Sequence, residues 1–314
     1  LPRLHWLPSS LPFHHALPCA TYRHTAMSRF QLFTLDNSYL SYCILADLFY
    51  VSSELGRQTV ELHITDFASG NMCAILGLLA NQLEAIGSEL SITSNRYPVV
   101  RTLVGNGFLR QHKREHTSRE DNRAISYRKL RPADSKYFNL LFAQDLASAH
   151  AAAGSPMGDD LLLAIRISTA ELFANTQQHS QATWVHSCGL FFPEKGRFEF
   201  TLADDGIGIH SSLGGELSTP ENHSDWLLEA LRQGATSREK ITGGIGLPLI
   251  LQLLRLNLGK LQMVSGRGFL HWDTSGFQLA TLPHPLPGTI ITLQLNSLDR
   301  TRYSRLLQKF LKAQ

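Results

Sequence analysis

Apolar residues recur with two different spacings between Met27 and about Arg110, and the two spacings alternate along the chain. Alternation typical of strands occurs over 30–35, 59–64 and 89–93, and spacings typical of helices occur over 39–56, 70–87 and 97–108. Gly56 and Gly87 end the first two helical stretches, a common position for glycine. The pattern predicts a small α/β domain over residues 27–110.

A further helical pattern begins near Ser155, which is expected to cap the helix with Pro156 in its first turn. Residues three, four and seven apart share a helix face, so this segment has one polar and one apolar stripe. The polar stripe consists of Ser168, Glu171, Asn175, Gln178 and His179, and the apolar stripe of Leu161, Ile165 and Leu172. A solvent-facing side would explain the polar stripe, but such sides usually carry lysines. Carboxylate, amide and imidazole groups instead suit a metal ion and a water molecule.

Two glycine-rich turns follow. The predicted strand over 197–204 continues into Asp204-Asp205-Gly206-Ile207-Gly208, where a carboxylate precedes glycines that let the backbone approach a flat ligand. Farther on, Gly243, Gly244 and Gly246 lead into an apolar helix, and such a turn presents free N–H groups to an anion. Taken singly, the first turn is explained equally well as a tight acidic turn, and the second matches neither the Walker nor the dinucleotide pattern.

The order of these pieces is more specific than any one of them. ExxxN, DxGxG, GGxGL and a final strand in "PGTIITLQL" together resemble the boxes of the GHKL ATPase superfamily, over about residues 130–295. This superfamily includes gyrase B, the large heat-shock chaperones, histidine kinases and anti-sigma serine kinases, and the anti-sigma kind is the most similar. The resemblance implies a two-layer α/β sandwich of the Bergerat type over residues 132–314, binding ATP with Mg²⁺.

The resemblance also implies a role for each matching residue. Asn175 would coordinate Mg²⁺, and Glu171 would polarise the attacking hydroxyl or water. The nucleotide-binding positions would be Asp204 on the adenine amino group, Gly206 and Gly208 along base and sugar, Gly243, Gly244 and Gly246 around the phosphates with Leu247 beside them, and Thr289 on adenine. Residues 209–242 would form the lid, with Arg238 or Lys240 reaching the terminal phosphate. His179 is expected to satisfy the last helical carbonyls in preference to touching phosphate.

The N-terminal succession of strand and helix resembles the STAS domain of anti-anti-sigma factors over about eighty residues. Ser69 lies nearest to the serine that is phosphorylated in that family, although a helix N-cap is the favoured interpretation of Ser69. Between this domain and the next, residues 111–131 are predicted to be a basic linker. Because the linker lacks interleaved aromatic residues, solvation is favoured over docking to nucleic acid or an acidic partner.

Composition adds limits. The 314 residues favour two domains, and the formal charge of +3 is too small to imply nucleic acid. The four cysteines form no CxxC pair and predict reduced thiols, while the absence of a long apolar run predicts a cytoplasmic protein without membrane attachment. Residues 1–26, rich in proline and histidine, are predicted to be a disordered extension ahead of a natural start at Met27.

The leading functional hypothesis is a regulatory protein that binds Mg-ATP and binds or phosphorylates a protein partner, with self-association as a further prediction. Two alternatives stay open. One is an ATP-hydrolysing conformational switch that dimerises around nucleotide, and the other is an interaction module that binds nucleotide without turnover. Kinase and hydrolase use the same pocket and differ in which nucleophile arrives.

Overall fold

The computed structural model describes residues 27–112, 121–213, 223–232 and 246–313, with side chains up to residue 308. Within these ranges no helix combines the length and apolarity needed to cross a lipid bilayer. Cys43, Cys73 and Cys188 are free thiols, as predicted, and Cys19 lies outside the described residues. Residues 1–26, predicted to be a disordered extension, likewise lie outside the described residues.

A parallel sheet forms the N-terminal part of the chain. Its strands, in spatial order, are β1 (Met27–Leu35), β2 (Thr59–Ala68) and β3 (Glu89–Thr93). They alternate along the chain with α1 (Tyr39–Ser53), α2 (Cys73–Ala85) and α3 (Tyr97–Gly105), and α4 (Phe108–His112) follows. The predicted order of strands and helices is therefore confirmed. The end of α1 is a correction, because the helix stops at Ser53 and not at Gly56. We call residues 27–112 the parallel-sheet unit.

An antiparallel sheet forms the second part, so the chain is a mixed α/β protein with one sheet of each kind. Its strands along the chain are β4 (Ala124–Leu130), β5 (Val185–Phe192), β6 (Arg197–Asp204), β7 (Lys260–Asp273) and β8 (Gly276–Asn296), in the spatial order β4-β5-β6-β8-β7. The accompanying helices are α5 (Ser135–Ala153), α6 (Asp159–Asn175), α7 (Gly208–Leu213), α8 (His223–Ala230), α9 (Gly246–Asn257) and α10 (Ser304–Ala313).

The antiparallel sheet is buried on both faces. Phe198, Phe200 and Leu202 of β6 belong to a core with α5, α6 and α9. The alternate residue Ala203 belongs instead to a core with α1 and α2, together with Ile290 of β8. Helices α1 and α2 thus lie between the two sheets, and α6 and α9 cover the far side. This layering places the ends of α6 and β6 beside the middle of β8, where Asp204 pairs with Thr289.

Two predictions for the junctions are wrong. Residues 124–130, assigned to a solvated basic linker, form strand β4, because partners from distant segments neutralise its cations: Arg128 bonds Asp145 at 2.6 Å and Lys129 bonds Glu84 at 3.2 Å. Ser155 does not cap α6, which starts at Asp159 after Gly158. The hydroxyl of Ser155 instead donates to the carbonyl of Ser297 at 2.8 Å.

Ser69 occupies the N-cap position of a short 3₁₀ turn ahead of α2, but its side chain makes no capping bond. It is 3% exposed and faces the antiparallel sheet. Its Oγ lies 2.7 Å from Asn71 Oδ1 and 3.1 Å from Glu199 Oε2. Burial raises the pKa of Glu199. Ser69 is therefore part of the contact between the two sheets' layers, and no phosphorylating enzyme can reach it in this arrangement.

Candidate functional site

A cleft opens where the ends of α6 and β6 meet α7, the start of α9 and strand β8. It measures about 830 Å³ when the space at its open mouth is counted. Described residues from all of these elements line it: Leu172, Asn175, Thr176, His179, Ser180, Leu202, Asp204, Gly208, Ile209, Ser212, Leu213, Ala230, Gly246, Leu247, Thr289 and Ile291. Six residues predicted for the metal and nucleotide site, in four separate motifs, are therefore neighbours in space: Asn175, Asp204, Gly208, Gly246, Leu247 and Thr289.

Asp204 is the buried acid of the cleft. It is the last residue of β6, is 2% exposed, and pairs with Thr289 across the β6–β8 ladder. Burial is the main cause that raises the pKa of Asp204 to about 7, and the nearby charge of Asp205 acts in the same direction. Hydrogen bonds from the backbone N–H groups of Gly206 and Thr289 act in the opposite direction. A buried carboxylate of this kind is stabilised by any ligand that donates a hydrogen bond to it.

Glycines bring the backbone unusually close around Asp204. A Cβ on Gly288 would lie 1.9 Å from the carbonyl oxygen of Asp204, and both Gly208 and Gly288 have positive φ, at 76° and 57°. Ser265 links this group, since its hydroxyl donates to the Gly288 carbonyl and accepts from the Ile209 N–H, both at 2.8 Å. Only glycine fits at these two positions. Gly288 and Ser265 were not predicted, because only the tertiary pairing of β7 with β8 brings them here.

Gly206 does not line the cleft, contrary to the role expected for it. Its N–H donates to Asp204 Oδ1 at 2.9 Å, and a Cβ there would lie 2.1 Å from the Ser180 carbonyl oxygen. The neighbouring Asp205 points away and accepts from the N–H groups of Thr183 and Trp184 at 2.7 and 2.8 Å. Gly206 therefore allows the turn to pack against the end of α6.

A second polar group lies at the start of α9. A Cβ built on Gly246 would be 3.3 Å from Glu171 Oε2 and 3.8 Å from Asn175 Nδ2, so the three residues adjoin. Within the described residues the Asn175 amide has no hydrogen-bond partner, and its side chain lines the cleft. The first N–H groups of a helix lack partners within that helix, which favours negative charge nearby. This corner thus combines oxygen donors with the positive end of α9.

The helix that carries Glu171 and Asn175 ends in a π-helical turn, Thr176–Ser180. Such turns are rare and frequently occur at functional sites. The hydroxyls of Thr176 and Ser180 donate to the carbonyls of Phe173 and Thr176, at 2.7 and 2.6 Å. These hydroxyls satisfy carbonyls near the end of the helix, and His179 lines the cleft. Gln178, predicted on the same stripe, is exposed.

The remaining predicted positions lie outside the described residues. These are Gly243 and Gly244 of the glycine-rich turn, and Arg238 and Lys240 of the predicted lid. The described parts of that lid comprise α7 and α8, which pack on each other and on the β7–β8 hairpin. Helix α7 supplies Ser212 and Leu213 to the cleft, and α8 supplies Ala230.

The walls of the cleft are largely apolar. Leu172, Leu202 and Ile291, which line the cleft, were not predicted as site residues, and all three are buried members of the core. An apolar slot with a buried acid suits a flat ring that carries a hydrogen-bond donor. Among the described residues, no three His, Cys, Asp or Glu side chains group to hold a metal ion. A cation beside Asn175 would therefore take most of its ligands from water or from a bound anion.

Comparison with known proteins returned neither a matching family model nor a matching curated protein.

Proposed function

We propose that this chain is a Mg-ATP-binding regulatory protein, with a Bergerat-type nucleotide fold of the GHKL kind built on the antiparallel sheet. One observation carries the proposal: Asn175, Asp204, Gly208, Gly246 and Thr289 come from separate segments and line the same cleft. Their motifs were singled out for nucleotide chemistry from the sequence alone. Their meeting in one place is what such a site requires.

The adenine would occupy the apolar slot beside Asp204. The exocyclic amino group of adenine donates hydrogen bonds, and Asp204 is a buried acceptor already oriented by the Gly206 N–H at 2.9 Å. Thr289 lies opposite Asp204 on the next strand and offers a hydroxyl in the same region. Guanine presents a carbonyl oxygen where adenine has the amino group, so it would place two acceptors against each other.

The phosphates would lie towards Glu171, Asn175 and the start of α9. Mg²⁺ prefers oxygen ligands and keeps several of its waters, so the Asn175 amide oxygen and phosphate oxygens suit it. Glu171 precedes Asn175 by one helical turn and can orient a hydroxyl or a water without joining the metal's coordination shell. Phosphoryl transfer depends mainly on positioning and charge neutralisation, which these groups would supply.

The parallel-sheet unit, which is STAS-like in its succession of elements, would link the nucleotide state to a protein partner. Burial of Ser69 against Glu199 argues against Ser69 as a phosphoacceptor in this arrangement. The kinase version of the proposal places the acceptor serine or threonine on a separate protein. Self-association around nucleotide would accompany the hydrolase version.

Calorimetric titration with ATP, with and without Mg²⁺, tests the binding proposal. Asn175→Ala should abolish the gain in affinity that Mg²⁺ confers. Gln178→Ala is the matched control, because it removes an amide from the same helical continuation but outside the cleft. Failure of the wild-type protein to bind ATP, or equal effects of the two substitutions, would refute the proposal.

The reaction is tested with Glu171→Gln, which keeps the shape of the side chain and removes its charge. For a kinase, the protein is incubated with Mg-ATP and candidate partners and then analysed by mass spectrometry. A serine or threonine of a partner should become heavier by about 80 Da, the mass of one HPO₃ unit, with wild type only. For a hydrolase, phosphate release should fall about 100-fold or more in the variant. Retained ATP affinity with neither product would leave a binding module without turnover.

A further inference from the structure

The β7–β8 hairpin connects the cleft to helix α1. Near the cleft, β8 carries Thr289 and Ile291, which line it. Farther along, the two strands lose register: Gly266 pairs with Leu286, but Gly268 pairs with Thr281. Residues 282–285, "LPHP", therefore form a bulge in β8 opposite Arg267, whose Nε donates to the Leu282 carbonyl at 2.9 Å. We call residues 282–285 the bulge.

Helix α1 holds the bulge through several contacts. The ring of Tyr50 stacks on that of His284 with centroids 3.9 Å apart and planes 7° from parallel. His284 Nε2 also lies 3.7 Å from Asp47 Oδ1. At the edge of the bulge, the Tyr39 hydroxyl donates to the Thr281 carbonyl at 2.7 Å. Three side chains of α1 thus contact residues 281–284 of β8.

The packing beneath these contacts is close. Leu282, the first residue of the bulge, and Leu286, the residue after it, are 0% and 3% exposed and belong to the core shared with α1. Phe269 on β7 meets the ring of Tyr42 edge-on, with centroids 5.7 Å apart. A shift of α1 therefore cannot be absorbed by an empty space between helix and hairpin, because dense cores transmit displacement.

From the bulge to the cleft the path is three residues long. Gly288 follows the bulge, and its backbone is pressed against Asp204 so closely that a Cβ would lie 1.9 Å from the Asp204 carbonyl oxygen. Gly288 is also tied to Ser265 by a 2.8 Å hydrogen bond. Any displacement of the bulge along β8 would therefore move the group that surrounds the buried acid.

We propose that α1 positions the cleft through the bulge, with His284 as the positioning residue that Tyr50 and Asp47 hold in place. The proposal rests on the proposed function for the identity of the ligand, and it assigns the parallel-sheet unit a part in setting nucleotide affinity. Contact of a partner protein with α1 would thereby change the affinity of the cleft for nucleotide.

The test compares Tyr50→Ala, His284→Ala and His284→Phe with wild type. Tyr50 is 50% exposed, so its truncation leaves the core intact. His284→Phe keeps the stack on Tyr50 and loses only the contact with Asp47. His271→Ala is the matched control, because His271 also lies on this hairpin, 3.5 Å from Asp273, but near its tip. The readouts are Mg-ATP affinity by calorimetry and, without nucleotide, amide hydrogen exchange over residues 286–291.

The two alanine variants should bind Mg-ATP about three- to tenfold more weakly, the effect of losing one aromatic pair, and residues 286–291 should exchange faster. His284→Phe should restore most of both, and His271→Ala should change neither. Unchanged affinity and exchange in both alanine variants, or an equal loss in His271→Ala, would overturn the proposal. If wild type binds no ATP, the proposed function fails, and the exchange rates alone decide whether α1 positions this segment.

Discussion

Replacing Asp204 by asparagine should make the protein more stable at pH 8 and at the same time remove the proposed affinity for ATP. In the folded protein the pKa of Asp204 is about 7, mainly because of burial, against an ordinary value of 3.8. The folded state therefore keeps a proton that the unfolded chain releases. The contribution of Asp204 to stability is therefore fully present below pH 3.8 and is lost as the pH rises through 7.

The size of the effect follows from that pKa difference. At 1.36 kcal/mol per pH unit, ionising Asp204 costs the folded state about 4 kcal/mol at pH 8 and almost nothing at pH 4. Asparagine has the same shape, accepts from the Gly206 N–H as the carboxylate does, and never ionises. The stability gained by Asp204→Asn should therefore grow from near zero at pH 4 towards this limit at pH 8.

Urea unfolding followed by tryptophan fluorescence at pH 4, 6 and 8 measures the gain. Wild type and variant must be compared at each pH, because His186 has the opposite effect on stability. Burial lowers the pKa of His186 to about 3 from 6.5, so its contribution is present above pH 6.5 and is lost as the pH falls towards 3.

Asp205→Asn is the matched control for this experiment. The Asp205 carboxylate accepts hydrogen bonds from two backbone N–H groups, so the protein should lose stability when the substitution removes its charge. If Asp204→Asn gains the same stability at pH 4 and pH 8, or gains none, the burial argument for Asp204 is wrong.

Three further substitutions, with Gly56→Ala as a control, test His186 and the close contacts of two glycines. His186→Gln should flatten the fall in stability below pH 6.5, measured by the same urea curves, and an unchanged fall would contradict its assignment. Gly206→Ala should lower the free energy of unfolding by about 3 kcal/mol, because its Cβ would lie 2.1 Å from the Ser180 carbonyl oxygen. For the control Gly56→Ala, the new Cβ has no atom within 4 Å, so the free energy of unfolding should change by less than about 0.5 kcal/mol. Gly77→Ala should destabilise the protein by about 1–3 kcal/mol and lower its melting temperature by several degrees. The reason is that the new Cβ would lie 2.4 Å from His186 Nδ1. An unchanged melting temperature would show that α2 can move aside.

The parallel-sheet unit could be predicted from sequence because its signals are local. Strand β3 was predicted over 89–93, the range it occupies, since apolar alternation and a flanking glycine suffice for a short buried strand. Strand β4 was missed because Arg128 and Lys129 make it look like a solvated segment. The carboxylates that accept them lie 17 and 45 residues away, which no local pattern reveals.

For the cleft, the sequence predicted the polar corners better than the walls. Asn175, Asp204 and Gly246 lie in motifs whose residue types are unusual for a core, so they stand out. Leu202 and Ile291 do not, because an apolar residue in a strand has the same appearance whether it faces a core or a ligand. The approach of Gly288 to Asp204 depends on strand pairing, and the bulge that precedes it has no local signature beyond two prolines.

The sequence of β6 does not reveal that both of its faces are covered. Apolar Phe198, Phe200 and Leu202 alternate with polar Glu199 and Thr201, which is typical of a strand with one face exposed to solvent. The polar face is nevertheless buried, because α2's turn brings hydrogen-bonding groups to it: Asn71 Nδ2 donates to Thr201 Oγ1 at 2.8 Å.

A face that is polar yet covered resembles an interface between domains more than a core, since such interfaces are the more polar of the two. A phosphate on Ser69 in this contact would bury a second acid beside Glu199. The resulting repulsion and loss of hydration would destabilise the contact, and separation of the two layers would relieve both. Phosphorylation at Ser69 therefore requires the parallel-sheet unit to leave the antiparallel sheet first. In that open state α1 would also release the bulge, so a chain modified at Ser69 should bind the proposed nucleotide less tightly.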